Sequence, residues 1–212
     1  MLLALLPVVR AEDSRFSLGI VALGAKAENY AEPARRFLVE LTRRTQVDPH
    51  PEEGPRLVGQ DLAGAPPFLW LAVGPGEIPP DFSEKLQRFL ASGGTVFAEP
   101  ATLPEGREAL RLLEERLFPG RKPGFVEPED LITRTFYFLN EDTSRHLSAL
   151  EEKGRLVWIS ADAPVLRNVL NAREINAEDA LRIGVNVVIY TLTGSYKNDL
   201  THVRYLLRRR KH

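Results

Sequence analysis

Two carboxylates stand where a parallel sheet would place chemistry. Glu99 follows the apolar run 95–98 (TVFA), and Asp162 follows 155–160 (RLVWIS). On neighbouring strands the two would face one cleft and act as acid and base, or hold a cation. The competing role of a strand-end acid is to cap a helix or turn. Gly74, Pro75, Gly76 and Glu77 form a second candidate. Their amides either approach an anion or make a tight turn. The loop 24–30 contributes Gly24, Asn29 and Tyr30 as further ligand-binding candidates. Ser160 ends a strand beside Asp162 but lacks the glycine frame of a nucleophile elbow. Asn186 is the one strongly polar residue in the apolar stretch 183–192 (IGVNVVIYTL). Buried there, its amide needs partners, either a main-chain group of another segment or a ligand.

Several chemistries are excluded by residue type. The chain has no cysteine, which removes disulfides, zinc thiolates, iron–sulfur clusters and a catalytic thiol. His50, His146, His202 and His212 lack metal-ligand spacing, so no metal site is expected. Neither a GxGxxG nor a P-loop spacing occurs, and no cofactor is expected. A formal net charge of -1 gives no overall field to attract nucleic acid.

The elements that must position these residues follow from hydrophobic periodicity. Four continuous apolar runs, 16–23 (FSLGIVAL), 68–73 (FLWLAV), 95–98 and 155–160, predict buried strands. Residues 56–58 predict a weak edge strand, and 133–139 (TRTFYFL) an extended segment. Pro33 opens a helix with Ala34, Phe37, Leu38 and Leu41 inward, and Arg35, Arg36, Glu40, Arg43 and Arg44 outward. Asp81 with Glu84 has the spacing of a capping box ahead of a second helix, which Gly93 and Gly94 end. A third helix starts near Pro104. Asn176 caps a fourth that runs to Gly194, and the tail from Thr201 is expected to be a short strand or arm. Strands alternating with helices predict a mostly parallel, doubly wound sheet covered on both faces.

The last third of the chain carries a family resemblance. Residues 153–162 (KGRLVWISAD), 182–199 (RIGVNVVIYTLTGSYKND) and 202–210 (HVRYLLRRR) resemble the bacterial domain-of-unknown-function family numbered 4159. Residues 86–99 (LQRFLASGGTVFAE) are similar to the helix, double-glycine, strand phrase of class I glutamine amidotransferase-like domains. The resemblance covers roughly 16–210. It implies a flavodoxin-like, three-layer α/β sandwich of the class I glutamine amidotransferase-like kind. It does not imply that activity, because the nucleophile there is a cysteine in a glycine-flanked elbow. The matching strand here ends Phe97-Ala98-Glu99-Pro100. Glu99 matches the family's strand-end acid, and Gly24, Asn29 and Tyr30 correspond to its first loop.

The expected organisation is a signal sequence at 1–11 followed by one domain over 12–212. Leu2–Val9 is a short apolar run, and Val9, Arg10 and Ala11 resemble a cleavage site, although no basic residue precedes the run. The alternative is an N-terminal core strand. The basic run Arg208, Arg209, Arg210 and Lys211 is either a solvated end or a contact for an acidic partner or lipid head groups. Relatives joined to membrane-bound von Willebrand-type modules add an expectation of the cell envelope. The functional expectation is therefore a non-catalytic binding or assembly domain, periplasmic or exported, holding an envelope partner or a small molecule. The alternative is a hydrolase or lyase acting on a sugar or peptide-like substrate through Glu99 and Asp162.

Overall fold

The computed structural model describes residues 16–45, 47, 49, 54–171, 173 and 175–209, with side chains described as far as residue 193. The expected signal sequence, His50, His212, Arg210 and Lys211 lie outside the described residues.

All four apolar runs enter one seven-stranded sheet of order β2-β1-β3-β4-β7-β6-β5. The run 16–23 supplies β1 (Gly19–Leu23), and 68–73 supplies β3 (Phe68–Val73). The other two supply β4 (Thr95–Pro100) and β7 (Arg155–Ala161). These strands are mutually parallel, and β1 also pairs in parallel with the edge strand β2 (Arg56–Leu57). A strand buried on both faces needs apolar residues at every position, so these runs do not alternate. Beyond β7 the sheet turns antiparallel through β6 (Leu147–Glu152) and β5 (Gly124–Phe125).

Two helical layers complete a three-layer, flavodoxin-like α/β sandwich. On one face α1 (Ala31–Arg44) and α5 (Ala177–Arg209) cover Ile20, Trp70, Phe97 and Ile159. Phe37, Trp70 and Phe97 stack edge to face there, with ring centroids 5.4 and 4.7 Å apart. Gly184 lets α5 approach α1, because a Cβ there would come within 2.6 Å of the Phe37 ring. On the other face α2 (Phe82–Ala91) and α3 (Glu105–Leu117) cover Val21, Leu71, Val96 and Trp158. A short α4 (Glu141–Ser144) precedes β6.

The structure corrects several expectations. Residues 133–139 are not a strand: Leu131–Arg134 form a 3-10 turn, and the chain then loops so that Leu139 N–H meets Thr133 O at 2.7 Å. Asp81 makes no side-chain cap and instead pairs with Lys85 at 2.6 Å. Glu40 does not face solvent. It is 2% exposed, with Arg36, Arg43 and Arg44 closing over it. Arg44 also forks onto Glu178 at 2.7 and 2.9 Å, joining α1 to α5. Asn176 does cap α5, accepting from Asp179 N–H at 2.9 Å. That helix does not stop at Gly194. It runs through Arg209 in place of a strand or arm, over a tail rich in leucine and arginine, which are good helix formers.

Candidate functional site

In open α/β sheets ligands bind beyond the carboxyl ends of the strands, above all where strand order reverses. Here order reverses between β1 and β3. Main chain closes that crevice. Gly74 N–H donates to Leu23 O at 2.6 Å. A Cβ on Gly24 (φ +60) would strike the Pro75 carbonyl, and one on Gly74 would come within 2.5 Å of Gly24 O. Both glycines therefore serve backbone-on-backbone contact. Beside them Gly76 adopts φ +135 in an exposed turn. Asn29 is exposed, whereas Tyr30 is buried at the end of the 3-10 turn Ala27–Tyr30.

Glu99 lies within β4, opposite Ala72 in the register, and is fully buried. Side chains alternate along a strand, so Glu99 shares the α1/α5 face with Phe97 and Ala101. Its Oε2 accepts from Val165 N–H at 2.8 Å and Leu166 N–H at 2.9 Å, clasping the loop that follows β7. Burial pushes its carboxyl up to about 7; the two amides, the Trp70 indole beside it and Arg167 act against that rise. Trp70 Nε1 and Glu99 Oε1 are both buried without a hydrogen-bond partner among the described residues. Burial, and then the Glu99 charge, also hold the Tyr30 hydroxyl well above its usual range. Tyr30, Trp70, Glu99 and Arg167 thus form one polar cluster under the ends of β1, β3 and β4.

A cleft of about 290 Å³ opens above this cluster, where the chain leaves β4 and β7. Its walls carry Thr102, Leu103, Arg167, Asn168, Asn171 and Arg173. Arg167 is fixed through Nη1 by Ala101 O at 3.0 Å. Asn168 is buried, donates to Pro164 O at 2.6 Å and accepts from Arg173 N–H at 3.3 Å. The sequence reading missed these residues. Their signal was a loop between a strand and the Asn176 cap that holds Arg167, Asn168, Asn171 and Arg173 within seven positions.

Asp162 belongs to a different place. Ala98 pairs with Ser160, so Ser160 and, two residues on, Asp162 take the α2/α3 face with Ala98. There Asp162 Oδ1 sits 2.7 Å from His146 Nδ1, and Arg107 Nε donates to its main-chain oxygen at 2.8 Å. Ser160 is buried in register with Ser148, and both line a separate pocket of about 370 Å³. Glu114 lines it too, accepting from Trp158 Nε1 at 2.8 Å. Its carboxyl is raised by burial, against which Ser160 and Trp158 act. The sheet separates Glu99 from Asp162, so the expected acid–base pair in one cleft is not assembled. Among the described residues no three His, Asp or Glu side chains gather as a metal would require.

Asn186 is fully buried on α5. Its Oδ1 accepts from Tyr137 N–H at 2.7 Å, and its Nδ2 donates to Ile132 O and Tyr137 O, each at 2.8 Å. The partners are the 3-10 turn Leu131–Arg134, through Ile132, and the loop that follows it, through Tyr137.

A family model described as "Domain of unknown function (DUF4159)" matches residues 18–192. The chain belongs to this family. The match takes in every strand of the DUF4159 sheet, the cleft beside Arg167 and the Asn186 clasp. A search among curated proteins finds no match.

Proposed function

We propose that this DUF4159 domain is a non-catalytic binding domain of the bacterial cell envelope, which holds a small ligand in the cleft above Glu99. One observation carries the reading. The cleft lies at the carboxyl ends of β4 and β7 and is lined by fixed polar side chains. The acid beneath it, Glu99, is bonded to two main-chain amides, and none of the described residues lining the cleft brings a second carboxylate. Such a carboxyl braces a site and does not do two-carboxylate hydrolysis. The envelope part rests on the apolar run at Leu2–Val9 and the resemblance of 9–11 to a cleavage site.

A thermal-shift screen against nucleotides, sugars, small anions and divalent ions tests binding, since a ligand specific for the native state raises the midpoint. The expected result is a ligand whose shift disappears in Leu103→Trp, which fills the cleft. If no ligand behaves this way, the reading is wrong. N-terminal sequencing of protein from its native host tests export. A mature chain beginning near Glu12 is expected, and one retaining Leu2–Val9 refutes export.

A further inference from the structure

We infer that the cleft beside Arg167 is an oxyanion site, taking a small molecule that carries a phosphate or carboxylate group. The inference rests on the binding reading above and names the ligand class. Two guanidinium groups, Arg167 and Arg173, stand among the lining residues, and none of the described lining residues is acidic. Two other pockets that also hold basic side chains differ. The pocket at Asp162 also holds two arginines, but Asp162, Glu108 and Glu114 line it with them. There Arg111 is tied to Glu108 and Glu115, and Arg107 to Asp162. The pocket at Asp61 likewise sets that acid against Lys85 and Arg88. Among the described residues neither Arg167 nor Arg173 makes a salt bridge; the buried Glu99 carboxyl, on which the Arg167 charge acts, accepts its hydrogen bonds from two main-chain amides instead.

The walls are also built for it. The bond to Ala101 O spends one edge of the Arg167 guanidinium on orientation, and a fixed fork loses less freedom when it binds. Asn168 holds the main chain of Arg173 in place through Oδ1, and is itself held by Pro164 O. Asn171 and Thr102 add amide and hydroxyl groups for a polar ligand body. Guanidinium forks match the planar carboxylate and the tetrahedral phosphate alike. A volume of about 290 Å³ limits the ligand to a small metabolite or the end group of a larger one.

The test is thermal shift and calorimetry on the full chain, with inorganic phosphate and succinate, each against sodium chloride of equal ionic strength. At least one oxyanion is expected to raise the midpoint beyond the chloride control. Arg167→Gln and Arg173→Gln should each weaken it tenfold or more, and Arg167→Lys should retain part of the affinity. Phosphate alone responding identifies a phosphorylated ligand, and succinate alone a carboxylate. The inference fails if neither exceeds chloride, or if the Arg167→Gln/Arg173→Gln double variant responds as the parent does. A neutral ligand blocked by Leu103→Trp but indifferent to both glutamine variants would overturn the oxyanion class and leave the binding reading standing. Circular dichroism of each variant separates lost binding from lost folding.

Discussion

At Asn186 one side-chain amide satisfies three main-chain groups of a loop that has no strand to pair with. Asn186→Leu leaves Tyr137 N–H and two carbonyls without partners, and is expected to cost about 1–3 kcal/mol by urea denaturation. Asn186→Asp is expected to be worse near neutral pH than in acid. A carboxylate turns an oxygen toward Ile132 O and Tyr137 O, and only its protonated form has a hydrogen to donate. Glu99 gives a second expectation. Its folded pKa is raised, so its contribution is fully present below about pH 4.5 and is lost as pH rises through about 7. The loss amounts to about 3 kcal/mol. Glu99→Gln should flatten the stability profile over that window in parallel denaturation series. A variant profile as steep as the parent's would refute the assignment. That Asn186 needs buried partners is legible from its apolar neighbours. Which face of the sheet Glu99 and Asp162 take is not, because it depends on the Ala98–Ser160 register.

The four central strands are legible because each is an unbroken apolar run between turn residues. Their neighbour β6 is not, because Leu147 and Leu150 are its only buried positions and Glu151 and Glu152 end it at the surface. The aromatic segment 133–139 misleads for the opposite reason. It has strand-forming side chains, yet Asn186 and Thr133 supply the bonds its backbone would otherwise seek in a ladder. The cleft residues 164–173 show no periodicity at all. Between β6 and β7 the chain turns through Lys153 (φ +53) and Gly154 (φ +78). Two positive φ values mark the type I′ hairpin, whose first position favours asparagine and strains lysine. Lys153→Asn is therefore expected to stabilise by about 0.5–1 kcal/mol, read as a higher thermal midpoint with unchanged spectra. A lower midpoint would mean that the turn is held by something other than its backbone.

For the molecule as a whole, the sheet is graded from centre to edge. β3 and β4 are buried at every position and have a parallel partner on each side. β2 and β5 are two-residue strands with both residues exposed. Local opening free energy follows burial and main-chain pairing. Native-state hydrogen exchange should thus find its slowest amides in β3 and β4 and its fastest strand amides in β2 and β5. Equal protection across the sheet would show that the molecule opens only as a unit. The same grading puts the oxyanion cleft beside the stiffest part of the protein, since Ala101 and Thr102 directly follow β4.

The clasp at Asn186 also carries a timetable. Its partners lie 49 and 54 residues away in the chain, and from that separation we expect it to close after the intervening strands have paired and α5 has docked. Contacts that form after the rate-limiting step hold the native state shut without hastening its arrival. In stopped-flow experiments Asn186→Leu is expected to speed unfolding and leave the refolding rate nearly unchanged. That result would make the loop 131–139 the last piece latched as the protein folds and the first to come loose.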